Sequence, residues 1–169
     1  SQVVPEPKVL DEANIQAMKK LVTQAVYKPH ATPIKRISVE WFGGEPLMKK
    51  NVMRDFSEFV IALADENNIE YNASIVTNGT LLNAETWELM HTCRVNHLQI
   101  TIDGSEGMHN QVRMYLNGKG TYEKIMNNLS IMPAGRHTVT IRINGDREVF
   151  TQLDGLFDDL EARGLWPQR

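Results

Sequence analysis

Cysteine is almost missing from this chain: Cys93 is the sole one among 169 residues. A single thiol excludes an internal disulfide and favours a reducing compartment, which predicts a cytoplasmic address. Long hydrophobic runs are missing too. None approaches the roughly 18 apolar residues of a membrane-spanning helix, and the opening residues lack the basic-then-apolar pattern of a secretory leader. An excess of one charge sign is also lacking. Lys and Arg number 18 against 21 Asp and Glu, a net of −3, so no global field draws the chain to nucleic acid or a membrane surface. His91 and Cys93 make a poor metal pair, because a site takes three or four ligands. No glycine-rich phosphate loop precedes a helix, and no internal repeat, low-complexity tract or domain linker interrupts the chain.

What is present is ordinary globular composition, 41% hydrophobic and 23% charged, over a length that suits one domain with a sizeable core. Helical and strand periods alternate along it. Residues 11–26 place Ile15, Met18, Leu21, Val22 and Ala25 at helical spacing, with Asp11 as N-cap. Two prolines break the pattern within 27–34, and a strand over Ile37 to Phe42 follows. A helix over about 48–66 carries Val52, Phe56, Phe59, Val60 and Leu63. A strand over Asn72 to Val76 enters the turn Thr77-Asn78-Gly79, and Asn83 caps a short helix with Trp87 and Met90. His97 to Ile102 forms the next strand. Residues 104–120 read as a loop far longer than the usual connection, and loops of that length are functional or mobile.

Thr121 caps a helix with Tyr122, Ile125 and Leu129. Thr138 to Ile143 alternates between Val139, Ile141 and Ile143 on one face and Thr138, Thr140 and Arg142 on the other. A last helix over about 147–163 ends at Gly164, a C-terminal cap. The predicted fold is therefore α/β, with about four parallel strands alternating with helices through right-handed crossovers. Residues 1–10, with Pro5 and Pro7, are a loose lead-in, and 11–169 form the domain.

Parallel α/β architectures bind ligands at the carboxyl ends of their strands. All four ends here carry polar or glycine-rich residues: Gly43, Gly44, Glu45 and Pro46 after the first, Asn78 at the second, Thr101 and Asp103 at the third, Arg142 and Asn144 at the fourth. The glycines let backbone approach a ligand, and Pro46 opens the next helical turn. Polar residues alternating with Val and Ile point to a wet sheet face, where a fully packed parallel sheet would be apolar throughout. Each piece also has a structural reading. Gly-Gly-Glu-Pro can be a strand-to-helix turn, Thr77-Asn78-Gly79 a turn, Glu45 a solvated first-turn carboxylate, and Arg142 the partner of a sheet carboxylate such as Glu40. His109 and Arg113 on the long loop are the further candidates. Convergence on one edge favours a site.

Four segments together resemble one family. Phe42-Gly43-Gly44-Glu45-Pro46-Leu47 looks like the Gly-Gly-Glu-Pro signature of radical S-adenosylmethionine (SAM) enzymes. Val76-Thr77-Asn78-Gly79-Thr80-Leu81-Leu82 is similar to the end of their following strand. Gln99-Ile100-Thr101-Ile102-Asp103-Gly104, with His109, Arg113 and Gly118-Lys119-Gly120-Thr121-Tyr122, resembles the next strand and loop. Arg142-Ile143-Asn144 with Asp146-Arg147-Glu148 resembles the one after. The subgroup it resembles is the SPASM-type peptide-modifying enzymes, relatives of anaerobic sulfatase maturases, over about residues 10–165.

The resemblance implies a partial (β/α) barrel and S-adenosylmethionine as cofactor. It implies that Gly43, Gly44 and Glu45, in the turn closed by Pro46, receive the methionyl ammonium. Thr101 and Asp103 would meet the ribose or the carboxylate, Arg113 or Arg142 would pair with that carboxylate, and Asn78 and Asn144 would line the nucleoside cavity. In the family a [4Fe–4S] cluster, held by a Cys-x3-Cys-x2-Cys loop, cleaves SAM to a 5′-deoxyadenosyl radical that abstracts a substrate hydrogen, the substrate being a peptide or protein side chain. That motif is not in this sequence, so the cluster belongs to a parent protein. The chain reads as an internal, catalytically silent piece of the radical SAM domain, with no catalytic residue or metal ligand assigned.

The competing readings are a non-catalytic α/β module that binds a ligand or partner after losing its cluster, and a different enzyme using Asp103, His109 and the arginines on a phosphorylated substrate. Loss of a preceding strand predicts self-association through the open edge of Ile37–Phe42, or cover of that edge by residues 1–10.

Overall fold

The structure, a computed structural model, describes residues 11–29, 32–145, 147–151 and 153–165. The lead-in over 1–10, Asp146 and the closing Trp166-Pro167-Gln168-Arg169 lie outside the described residues. Helix α1, Glu12–Tyr27, starts where expected, with the Asp11 carboxylate accepting the Asn14 N–H at 2.8 Å. Strand β1 is Arg36–Trp41 and β2 is Glu70–Thr77, joined through α2, Lys50–Glu66. Helix α3, Ala84–Thr92, opens with a reciprocal cap: the Asn83 side chain accepts the Thr86 N–H, and the Thr86 hydroxyl accepts the Asn83 N–H. Strand β3, Val95–Thr101, follows; then come α4, Glu106–Val112, α5, Tyr122–Ser130, and β4, Thr138–Arg142. Two short helices close the order, α6, Arg147–Thr151, and α7, Asp154–Ala162.

The four strands form one parallel sheet in the order β1-β2-β3-β4. Ile37, Val39 and Trp41 align with Tyr71, Ala73 and Ile75, while Leu98 and Ile100 align with Val139 and Ile141. These residues share the face that the helices cover. Phe56 and Val60 of α2, Trp87 and Met90 of α3, Ile125 and Leu129 of α5, and Leu156 and Leu160 of α7 complete one hydrophobic core. The opposite face carries Ser38, Glu40, Asn72, Ser74, His97 and Gln99, all exposed or half-buried. The sheet is thus apolar on its helix side and wet on the other, as the alternation predicts.

Four local expectations change. The helix over about 48–66 begins as a 3₁₀ turn, Pro46–Lys49, because the Glu45 side chain accepts the Leu47 N–H and tightens the entry. The long loop over 104–120 is half ordered: it holds α4, and Met114 pairs with Gly120 in an antiparallel bridge. Thr121 makes no side-chain cap to α5, since its hydroxyl is engaged elsewhere. The last helix is two pieces. Their break lets Leu156 and Leu160 enter the core while Phe150 stays 57% exposed. Gly164 does cap α7: at φ +67 its N–H meets the Glu161 carbonyl and the Leu165 N–H that of Leu160, a Schellman closure. Arg142 and Glu40 lie on the two outermost strands, three strand spacings or about 14 Å apart, so the sheet ion pair between them does not form.

Candidate functional site

The four parallel strands place their carboxyl ends along one edge of the sheet (the rim), and the loops leaving them carry the candidate residues. After β1 the chain turns through Gly43, at φ +147, and Gly44. A Cβ on either glycine would meet no atom of the chain within 4 Å. Packing within the chain therefore does not call for glycine at Gly44. Glu45 is no solvated first-turn carboxylate. One oxygen accepts the Thr77 hydroxyl at 2.8 Å and the Leu47 N–H at 3.1 Å, and the other accepts the Asn78 N–H at 2.9 Å. It clamps the end of β1 to the end of β2, leaving lone-pair capacity for one more donor.

Past β2, Thr77 accepts the Gly79 N–H, and the Asn78 carbonyl oxygen accepts both the N–H and the hydroxyl of Thr80. This local turn fixes the Asn78 side chain and leaves its amide N–H groups without a partner among the described residues. Gly79 must be glycine: it sits at φ +77, and a Cβ there would lie 3.1 Å from Ile100 and 3.2 Å from Ile125. A residue not singled out from the sequence holds the turn from behind. Buried Asn128 of α5 donates to the carbonyls of Gly79 and Thr80 at 2.8 and 3.1 Å, and its own carbonyl accepts the Trp87 indole N–H. Its signal in the sequence is an amide inside the apolar stripe Tyr122, Ile125, Leu129.

The third strand end is the most tightly organised. Asp103, 5% exposed, accepts the Arg113 Nε–H on one oxygen at 2.6 Å and the Asn144 backbone N–H on the other at 2.8 Å. One buried carboxylate thereby ties β3, the α4 loop and the end of β4 together. The charge is compensated, because Arg113 pairs with it in full hydrogen-bonding geometry. His109, fully buried on α4, accepts the Asp103 N–H on Nδ1 and contacts the Thr121 hydroxyl through Nε2 at 2.9 Å. Burial, with the Arg113 charge beside it, pulls its pKa down to about 4, so the imidazole is neutral.

Arg113 itself is one-third exposed, with only Nε bound among the described residues. Its two Nη groups remain available, in the fork geometry that suits a carboxylate. A cavity of about 300 Å³ opens beside it, lined by Arg113, Asn78, Thr80, Val112, Met114, Tyr115, Thr121 and Ile125. Thr101 lies on the wet face, aligned with Arg142 across β3 and β4. Arg142 is exposed and donates from Nε to the Asn144 side chain at 3.0 Å. The structure thus gathers Asn78 and Arg113 on one cavity, binds Asp103 and Asn144 to each other, and sets Arg142 on the outer strand.

Cys93 is far from all of this. It is buried at the C-terminal cap of α3, before β3 begins, and its thiol points at the Met53 carbonyl. Burial raises its pKa, which disfavours the thiolate. No helix among the described residues is long and apolar enough to cross a membrane.

The chain is similar to known proteins in sequence and in fold. A curated relative, the cysteine-type anaerobic sulfatase-maturating enzyme of Clostridium novyi (strain NT), is 36% identical over 91 residues, which cover 53% of this chain and 24% of that protein. Among solved structures, native anSMEcpe with bound AdoMet superposes with a TM-score of 0.72 at 16% identity, over 97% of this chain and 43% of that one. The same protein with bound AdoMet and the Kp18Cys peptide gives 0.69 at 16% identity, over 88% and 40%. The chain spans about a quarter of the curated relative's length and about two fifths of the solved structures'. At that identity the structural likeness concerns the fold. The Radical SAM superfamily model, however, matches residues 25–159, most of the chain, and so the chain belongs to the radical SAM superfamily.

Proposed function

We propose that this chain is the S-adenosylmethionine-holding part of a peptide-modifying radical SAM enzyme, of the kind that matures anaerobic sulfatases. The observation that carries the reading is Arg113: Asp103 orients its Nε, and its two Nη groups open beside the Asn78 cavity. A methionyl carboxylate suits that fork, and bidentate pairing adds direction as well as strength. The ammonium would lie against the backbone carbonyls at Gly43 and Gly44 and the remaining lone pairs of Glu45, in the turn closed by Pro46. Thr101, Arg142 and Asn144 lie toward the wet face, where ribose hydroxyls and the nucleoside would sit, with Asn78 at the cavity wall. Asp103 acts through Arg113 and Asn144, since both its oxygens carry those bonds.

S-adenosylmethionine therefore fits the residues present. The iron–sulfur cluster that supplies the cleaving electron in this family does not: thiolates are its ligands, and Cys93 is buried beyond the far end of β3, about 20 Å from the rim. Peptide substrate and reaction belong to a longer parent protein; for the chain itself the lone thiol favours a reducing, cytoplasmic setting. The outer edge of β1, where Ile37, Val39 and Trp41 are only half covered, supports self-association as a further property of the isolated chain.

Calorimetry with S-adenosylmethionine tests the site. Arg113→Gln is expected to weaken binding about tenfold or more, the loss of a charged hydrogen-bonded pair, while Arg142→Gln has a smaller effect. Equal affinity of Arg113→Gln and the unaltered chain would overturn the assignment.

A further inference from the structure

Four hydrogen bonds close a ring behind the Arg113 guanidinium. The Asp103 N–H donates to His109 Nδ1 at 3.1 Å, His109 Nε2 lies 2.9 Å from Thr121 Oγ1, Thr121 Oγ1–H donates to the Arg113 carbonyl at 3.1 Å, and Arg113 Nε–H donates to Asp103 Oδ2 at 2.6 Å. Every donor points the same way round. The Thr121 hydroxyl has one proton, which goes to the Arg113 carbonyl, so His109 must donate from Nε2 and accept at Nδ1. The tautomer is fixed by its neighbours. We propose that His109 and Thr121 are positioning residues for the ligand-binding arginine, holding its main chain and its carboxylate partner in one rigid loop so that the two Nη groups stay aimed at the cavity.

Several features set this apart from ordinary loop packing. Arg113 is the C-cap residue of α4, where the chain leaves helical geometry at φ −126 and ψ 99; its N–H meets the His109 carbonyl at 2.8 Å, the next residue bridges to Gly120, and neither contact fixes the Arg113 side chain. A long side chain on such a segment would sample many rotamers, and each one frozen on binding costs free energy. The ring fixes the segment at both ends beforehand. His109 stands edge-on to the buried Tyr122 ring at 5.7 Å, so it cannot swing away. Gly120 is part of the same construction. Asn110 lies where its Cβ would be, with its side-chain oxygen on the Tyr122 N–H, and this brings Thr121 close enough to α4 to close the ring.

The inference rests on the reading that Arg113 meets the carboxylate of S-adenosylmethionine, and the test separates the two. Thr121→Val keeps the side-chain shape and removes only the hydroxyl; Thr121→Ser keeps the hydroxyl. Calorimetry on the whole chain would compare S-adenosylmethionine with its decarboxylated analogue. Thr121→Val is expected to weaken S-adenosylmethionine about three- to tenfold, the range of one lost hydrogen bond, leave the analogue unchanged, and be rescued by Thr121→Ser. In nitrogen-edited NMR spectra the Arg113 Nε–H is expected to exchange slowly in the unaltered chain and rapidly in Thr121→Val and in His109→Gln. Equal weakening of both ligands, or an Nε–H as protected in both variants as before, overturns the proposal. An unaltered chain that does not distinguish the two ligands overturns the Arg113 assignment instead, and Nε–H exchange alone then decides the ring.

Discussion

Acidification from pH 7 to pH 4.5 should weaken the fold chiefly through one side chain. His109 takes up a proton near pH 6.5 when the chain is unfolded, but only near pH 4 in the fold, because it is buried and beside Arg113. Between those values the unfolded state binds more protons, so stability falls as pH falls. The contribution is complete above about pH 6.5 and lost on the way down to about pH 4. Two and a half pH units at about 1.4 kcal/mol each give roughly 3 kcal/mol, a large share of the 5–15 kcal/mol typical of a domain. Protonation also places an N–H of Nδ1 against the Asp103 N–H, so the ring around Arg113 opens first.

Urea unfolding at pH 7.0, 6.0, 5.0 and 4.5 would measure the slope. His137 is shifted downward as well and adds to it with the same sign. The ion-paired carboxylates Asp65, Glu70 and Glu85, whose pKa values are lowered by Arg94, Arg36 and Lys50, lose their contributions only as pH falls below their ordinary range near 4. The variant His109→Gln isolates the term: it should be less stable at pH 7 but clearly flatter with pH. A wild-type midpoint that does not move between pH 6.5 and 4.5, or a variant with the same slope, would refute the reasoning.

Two contrasts probe the rim. Gly79→Ala, forced to φ +77 with its methyl against Ile100 and Ile125, should lose about 1–3 kcal/mol in a denaturant titration, whereas Gly44→Ala should leave the melting temperature unchanged and reduce S-adenosylmethionine affinity. Asn128→Ala leaves the Gly79 and Thr80 carbonyls without their buried donor and should cost about 1–3 kcal/mol, with faster amide exchange across 77–82 as the local signature.

Much of the fold was legible in the sequence because strand and helix periods are local. Ile37, Val39 and Trp41 alternate with Ser38 and Glu40, and that alone places one sheet face in the core and one in water. The α2 stripe of Phe56 and Val60 repeats every four residues, which a helix turns to one side. Boundaries were less legible where side chains overrule the pattern. The 3₁₀ turn after Glu45 follows from a carboxylate bonding two residues ahead, and the break before α7 from where Leu156 and Leu160 find room in the core. Periodicity does not encode either event.

The sequence by itself determined the alternation of helices and strands, the parallel α/β class, the wet face and the four loops that carry the family's signature. Tertiary structure alone decided which loop residues act together. Glu45 reaches the end of β2 across 33 residues of chain, Asp103 reaches Asn144 across 41, and Asn128 reaches Gly79 across 49. Such pairs form only once the sheet order brings distant strand ends within about 3 Å of one another. The same holds for the two arginines. Both carry the charge a carboxylate needs, but only Arg113 has a buried partner to aim it, because α4 folds back over β3 and sets its Nε against Asp103.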